Sequence, residues 1–277
     1  MTTGFISKSN SKKLRLILSG LPNSGKTTSL ATFDPPHVIV VSPGEKGIAS
    51  LPEGEGITTA IYHIDPDDKR TSGKIIEEFE SAVLGIAYGA GASTPYTLTL
   101  EGNHKLYEYY LDIVTDGDYF SGKEFDPRLF GQAHRMYSDL LNKLFHSSVP
   151  VVVYTSWAEL EYKEDQLSAQ ERKYKRRYYY PNLPGKMSKQ IMGEVDGAIY
   201  ADIRSQCNMS QCKDKAEGKE HYLWQLNPSG DVRGVGFKLP YGAKSLPTFI
   251  HGRDEHGRAT QDWQLLKKLL HERGVQC

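Results

Sequence analysis

Leu14-Arg-Leu-Ile-Leu-Ser-Gly20-Leu-Pro-Asn-Ser-Gly25-Lys26-Thr27-Thr28 is the stretch that decides the fold. Residues 14–20 form an apolar run that ends in glycine, the pattern of a buried strand. Residues 20–27 then fit G-x-x-x-x-G-K-[ST] in full, directly before a segment that reads as a helix over 26–33. The two glycines let the backbone curl until successive N–H groups point at one anion, and a helix start adds its positive end. Lys26 has the reach for β- and γ-phosphates, and the Thr27 hydroxyl suits Mg²⁺. Gly20, Pro22, Asn23, Ser24, Gly25, Lys26, Thr27 and Thr28 are therefore the candidate nucleotide-binding residues.

Outward from this loop, strands alternate with helices. HVIVVS (37–42) reads as a second buried strand, ITTAIYHI (57–64) as a third, and YTLTL (96–100) and VPVVVYTSW (149–157) as two more. Helical spacing of apolar residues appears over 74–89, 105–114 and 133–145. Such alternation indicates βαβ units and a mainly parallel sheet flanked by helices. Segments 195–203, 221–226 and 232–239 read as strands without intervening helices, so the C-terminal part is expected to be antiparallel and β-rich. A last helix is expected over 260–274. The organisation expected is a flexible N-terminus (1–12), a core over 13–250 and a helical tail (251–277) packed on the core.

Composition narrows the function classes. The chain has 277 residues, with 34 Lys plus Arg against 34 Asp plus Glu, so any surface for a polyanion must be a local patch. Seventeen Tyr, 9 Phe and 3 Trp supply enough apolar area to exclude general disorder. No apolar run approaches the ~20 residues of a membrane span, and the opening residues lack the apolar segment of a signal peptide. Three cysteines argue against a disulfide framework. Together these give the expectation of a cytoplasmic protein with no membrane partner. Cys207, Cys212 and His221 fall short of a zinc set for want of a fourth ligand.

Two acids stand where nucleotide chemistry wants them. Glu101 ends the YTLTL strand, where a carboxylate assists Mg²⁺, although Asp is commoner there. Glu45 lies three residues past the second strand and is the candidate base for the attacking water. Thr155 and Ser156 end the strand 149–157, and either hydroxyl could sense a γ-phosphate.

The order of these parts resembles the RecA-like core of P-loop NTPases. More narrowly, it resembles the phage-encoded RecA-like ATPases of the single-strand annealing and recombination type, often described simply as AAA-type domains. The resemblance runs over roughly 14–250, through GLPNSGKTTSLATF (20–33), VIVVSPGEKGIASL (38–51), YTLTLEGNHKLYEYYLDIV (96–114), VPVVVYTSWAEL (149–160), LPGKMSKQIMGEVDGAIYADI (183–203) and VRGVGFKLP (232–240). It implies an ATPase using ATP and Mg²⁺, with Glu45 as the catalytic glutamate. It also implies that Arg233 and Lys238 reach a neighbouring subunit's nucleotide, and hence a ring or filament. Thr155-Ser156-Trp157 stands where relatives carry a histidine.

RecA-like proteins hold DNA on two loops, and both places here are unusual. Residues 115–132 are Gly-rich, with Tyr119, Phe120, Lys123 and Phe125. Residues 172–180 read Arg172-Lys173-Tyr174-Lys175-Arg176-Arg177-Tyr178-Tyr179-Tyr180. Cations attract the phosphate backbone and tyrosine rings stack on unpaired bases, a combination suited to single-stranded DNA. Arg172, Lys173, Lys175, Arg176, Arg177, Tyr178 and Tyr179 are the candidate DNA-binding residues. The expected action is on single-stranded DNA in recombination or strand annealing, in host cytoplasm if phage-encoded, with a single-strand-binding protein as a further candidate partner. Two other classes stay open: a nucleotide-gated DNA-binding or assembly protein with little turnover, and a small-molecule P-loop kinase.

Overall fold

The computed structural model describes residues 13–61, 71–89, 94–165, 174–183, 187–204, 220–228, 232–253 and 259–275. Six parallel strands form its centre, in the order β3 (Ile57–Ile61), β2 (His37–Val41), β4 (Thr97–Glu101), β5 (Val151–Asp165), β1 (Leu14–Gly20) and β7 (Gly197–Arg204). β8 (His221–Gln225) and β11 (Phe249–Ile250) extend the β7 edge antiparallel. The fold is thus α/β, mostly parallel, with antiparallel strands on the C-terminal side.

Strand alternation sends neighbouring side chains to opposite layers. Ile17, Val40, Leu98, Leu100, Val152 and Tyr154 face a core shared with α2 (Ser72–Tyr88), α3 (Asn103–Val114), α4 (Phe130–His146) and α5 (Met187–Glu194). Leu14, Leu16, Leu18, Ile39, Val151 and Val153 face a second core with Phe33, Trp224 and α6 (Trp263–His271). Central strands buried on both faces read as unbroken apolar runs, which is why LRLIL and VPVVV are so apolar. Each fully buried Leu, Ile or Phe contributes roughly 1.5–3 kcal/mol of transfer free energy. Parallel crossovers put the ends of β1, β2, β4 and β5 on one rim, where open α/β sheets take their ligands.

Four expectations are corrected. The helix over 26–33 is one turn, α1 (Lys26–Ser29), followed by a 3-10 turn over Leu30–Thr32, because Asp34-Pro35-Pro36 cannot continue it. So short a helix adds little dipole to the phosphate loop. The strand 149–157 runs on to Asp165 and makes an antiparallel hairpin with β6 (Tyr174–Pro181). The segment 232–239 is two short strands with different partners: β9 (Val232–Arg233) on β6, and β10 (Gly236–Phe237) on β7. Gly234, at φ +84°, separates them. The segment before α6 carries a strand pair, β12 (Gly252–Arg253) and β13 (Ala259–Thr260).

Candidate nucleotide site

The loop after β1 turns through Asn23 (φ +62°) and Gly25 (φ +81°), both in the left-handed region, so its amides curl toward one centre. Gly25 is required twice over. A Cβ there would be strained and would stand 2.7 Å from the Tyr222 ring of β8. Gln261 braces the loop from the C-terminal side, its Nε2 donating to the carbonyls of Ser24 (2.9 Å) and Leu223 (3.1 Å).

Lys26 is buried, and its Nζ donates to the carbonyls of Gly20 (3.0 Å) and Leu21 (2.9 Å). Burial lowers its pKa, against the attraction of Glu101 and Glu45. An ammonium held on neutral carbonyls has more to gain from a phosphate, since charge-assisted hydrogen bonds are roughly twice as strong.

Thr27 and Glu101 meet across the rim: Thr27 Oγ1 donates to Glu101 Oε1 at 2.8 Å. Glu101 Oε2 is buried and has no hydrogen-bond partner among the described residues. Burial pushes the Glu101 carboxyl above its ordinary range, opposed by hydrogen bonds from Thr155 and Thr27 and by the charge of Lys26, with repulsion from Glu45 adding to the rise. A carboxylate with one open oxygen, next to a threonine hydroxyl, fits the hard-oxygen donor set of Mg²⁺. A bound cation would reverse the upward shift.

Glu45 lies over the same rim. Gly102, the residue after Glu101, has φ +76°, and a Cβ on it would stand 2.5 Å from Glu45 Oε2. The Glu45 side chain thus rests against the Gly102 backbone. β5 lies between β1 and β4, so Thr155 sits between the phosphate loop and the acid strand. Its Oγ1 accepts the Gly102 N–H at 3.0 Å. Ser156 is buried, and its Oγ finds no partner among the described residues.

The rim also holds a residue that strand-end reading misses. His104, in the first turn of α3, is buried with its ring stacked on Trp157 (4.6 Å between centroids) and its Nε2 3.8 Å from Glu45 Oε2. The available signal was its place, three residues beyond the strand-ending acid.

Phosphate loop, lysine, threonine, acid and second acid thus converge on one rim. A family profile described as AAA domain matches residues 12–230. The chain belongs to the AAA domain family. Among solved structures, the chain is similar to the assembled ATPase EscN of the enteropathogenic E. coli type III secretion system. Identity is 14%, the TM-score is 0.42, and the match covers 69% of this chain and 43% of that one. It is also similar to the Legionella pneumophila ATPase DotB, at 8% identity and TM-score 0.28, covering 77% of this chain and 46% of that one. The AAA domain chain therefore matches less than half the length of either structure. No curated protein matches it.

Of the remaining expected residues, Lys238 lies away from this rim. Lys238 donates through Nζ to the Gly193 carbonyl and through its backbone to Asp196, near the start of β7, the end opposite the phosphate loop. Arg233 is in β9, with its backbone registered to Tyr178. Arg172, Lys173, Cys207 and Cys212 lie outside the described residues, while Lys175, Arg176 and Arg177 are on the β6 backbone. Tyr179 needs correction: it is buried, with its ring 3.7 Å from that of Tyr200, and so belongs to the core. Tyr178 and Tyr180 share the other face and stack at 5.9 Å. Alternation along β6 dictates this split. In the 115–132 loop, Tyr119, Phe120, Phe125 and Phe130 pack on one another and Lys123 pairs with Asp118 at 2.9 Å. No helix among the described residues is long and apolar enough to cross a membrane.

Proposed function

We propose that this AAA domain is a RecA-like enzyme that hydrolyses ATP with Mg²⁺ and couples the cycle to single-stranded DNA, in recombination or strand annealing. The observation that carries the ATP reading is the convergence of Lys26, Thr27, Glu101 and Glu45 on one rim. In this reading Lys26 and the amides of 23–27 hold the phosphates, and the Thr27 hydroxyl, with Glu101 behind it, holds the metal. A Mg²⁺ ion held by these two residues would supply charge neutralisation for the phosphates. Glu45 orients the attacking water and accepts its proton, acting from a carboxylate already packed against Gly102.

The DNA part is supported by how the hairpin is attached. β5 lies beside β1 and β4 at the rim, then continues without a break into its pairing with β6 from Ala158 onward. A strand shared by both regions is a short mechanical path between them. The candidate cations Lys175, Arg176 and Arg177 lie along β6. Tyr178 and Tyr180 add a stacked aromatic face. In a ring or filament, Arg233 and Lys238 would serve a neighbouring subunit's nucleotide. The place of action in this reading is the cytoplasm.

Phosphate release with and without single-stranded DNA tests the proposal. Stimulation by DNA that disappears in Lys26→Ala supports it. Turnover that DNA leaves unchanged overturns the DNA reading while leaving the ATPase intact.

A further inference from the structure

We propose that His104 is a positioning residue for hydrolysis, its imidazole holding the Glu45 carboxylate in line with the attacking water. The inference rests on Glu45 as the base and extends that reading to a residue with no part in the phosphate-loop motif.

The starting point is an unmet requirement. His104 is 5% exposed, and both of its ring nitrogens are buried without a hydrogen-bond partner among the described residues. Leaving a buried donor or acceptor unsatisfied is costly, so a fold retains such a group where something arrives to complete it. The nearest charged oxygen is Glu45 Oε2, 3.8 Å from Nε2. A movement of about 1 Å turns that separation into a hydrogen bond. Sites of this kind commonly tighten only when the reacting groups are in place.

The surroundings hold the ring across elements and the carboxylate only through its own turn. Gly102 starts α3 in the left-handed region, which sets the direction of the first helical turn and hence of His104. Trp157 covers one ring face, and the backbone of Trp157 is tied by the Asn182 N–H, which donates to its carbonyl at 2.7 Å. Glu45, by contrast, follows a Pro-Gly turn: its N–H donates to the Ser42 carbonyl at 3.2 Å and its Oε1 accepts the Lys46 N–H at 2.9 Å, while Oε2 is the oxygen that faces His104. A rigid donor beside a carboxylate on a turn is the arrangement that positions the carboxylate.

The charge state suits the task. Burial, with the nearby charges of Lys105 and Lys26, brings the His104 pKa down to about 4, so the ring is neutral near pH 7. A neutral imidazole donates one N–H without forming an ion pair. The ring therefore orients the carboxylate without placing a further positive charge beside it.

The test uses the full chain with ATP and Mg²⁺, measuring steady-state turnover together with binding of a fluorescent non-hydrolysable ATP analogue. His104→Ala is expected to lower kcat roughly 10–100-fold, with analogue affinity changed less than about threefold. His104→Gln, which keeps an N–H donor at similar reach, is expected to recover part of that loss. In a Glu45→Gln background, His104→Ala should add little, because two residues acting through one step are not additive. Equal loss of turnover and nucleotide affinity, or full additivity with Glu45→Gln, overturns the proposal. Should Glu45→Gln itself leave turnover intact, it is the assignment of the base that fails. If His104→Ala does not fold, Trp157→Ala, at a half-exposed ring, carries the comparison: kcat should fall by more than analogue affinity, and an unchanged kcat there overturns the proposal.

Discussion

The nucleotide rim and the α6 dock lie on the same sheet and are built on opposite rules. At the dock, the two acids that anchor α6 are rich in partners. Asp34 accepts from Trp263 Nε1, Gln264 Nε2 and Lys267 Nζ, each at 2.8 Å, and Asp262 caps the helix by accepting from the Gln264 N–H at 2.8 Å. At the rim, Ser42 Oγ, Glu101 Oε2, both His104 nitrogens and Ser156 Oγ are buried with no partner among the described residues. A fold tolerates a cluster of open polar atoms where a ligand completes them, and closes them where only packing is at stake. The rim should therefore control turnover with little effect on stability, and the dock should do the reverse.

That contrast sets the predictions. The largest effect is expected from Glu45→Gln, with kcat down roughly 10²–10⁴-fold at nearly unchanged melting temperature, since the base is lost and the shape kept. Phosphate-release kinetics on the melted and unmelted protein check both halves. Lys26→Ala is expected to cost roughly 10²–10³-fold and, unlike Glu45→Gln, to weaken nucleotide binding as well. On the other side, Trp263→Ala empties a fully buried site stacked on Phe33 at 4.8 Å and should cost about 3–5 kcal/mol in denaturant unfolding. Turnover per folded molecule should survive. A Trp263→Ala variant that folds normally but is inactive breaks the contrast.

Acid sensitivity offers a gentler probe. His37 is fully buried beneath the second core, its Nε2 2.8 Å from Thr99 Oγ1, and burial brings its pKa down to about 4. Between about 4 and the ordinary histidine value the unfolded chain binds the extra proton, so stability is complete above that window and falls as pH drops through it. The loss attributable to this ring reaches on the order of 3 kcal/mol. Melting temperatures from pH 7 to 4 should fall less steeply in His37→Asn. The smallest effect is expected from Gly102→Ala. Left-handed strain costs roughly 1–2 kcal/mol, and the new methyl displaces Glu45, so kcat should fall more than stability does. Stability loss without a kcat change would separate Glu45 from the rim.

How much of this was legible follows from range in the sequence. The phosphate loop was readable because every group it needs lies within residues 20–27. Glu101 and Glu45 were readable because parallel strands deliver their ends to one rim. His104 was not, since its meaning comes from Trp157, 53 positions later in β5, and from a carboxylate on another strand's turn. The hairpin was half-readable. Ala158-Glu-Leu160-Glu161 already alternates, and Ala158 and Leu160 do pack toward Tyr179 and Tyr200, but the charge of the stretch masks the period. The same period separates Tyr179 from Tyr178 and Tyr180, a distinction that residue type alone cannot make. The breaks in 232–239 and before α6 depend on pairing partners far along the chain, which no local pattern encodes.

Calorimetric titration of the full chain with ATP and Mg²⁺ is the most direct measurement of the central claim, that the loop after β1 is a nucleotide cradle. Saturable uptake of one nucleotide per chain, abolished by Lys26→Ala in a protein that still melts cooperatively, is the predicted result. Absence of heat and of uptake in the unaltered chain, or uptake that Lys26→Ala leaves untouched, would contradict it.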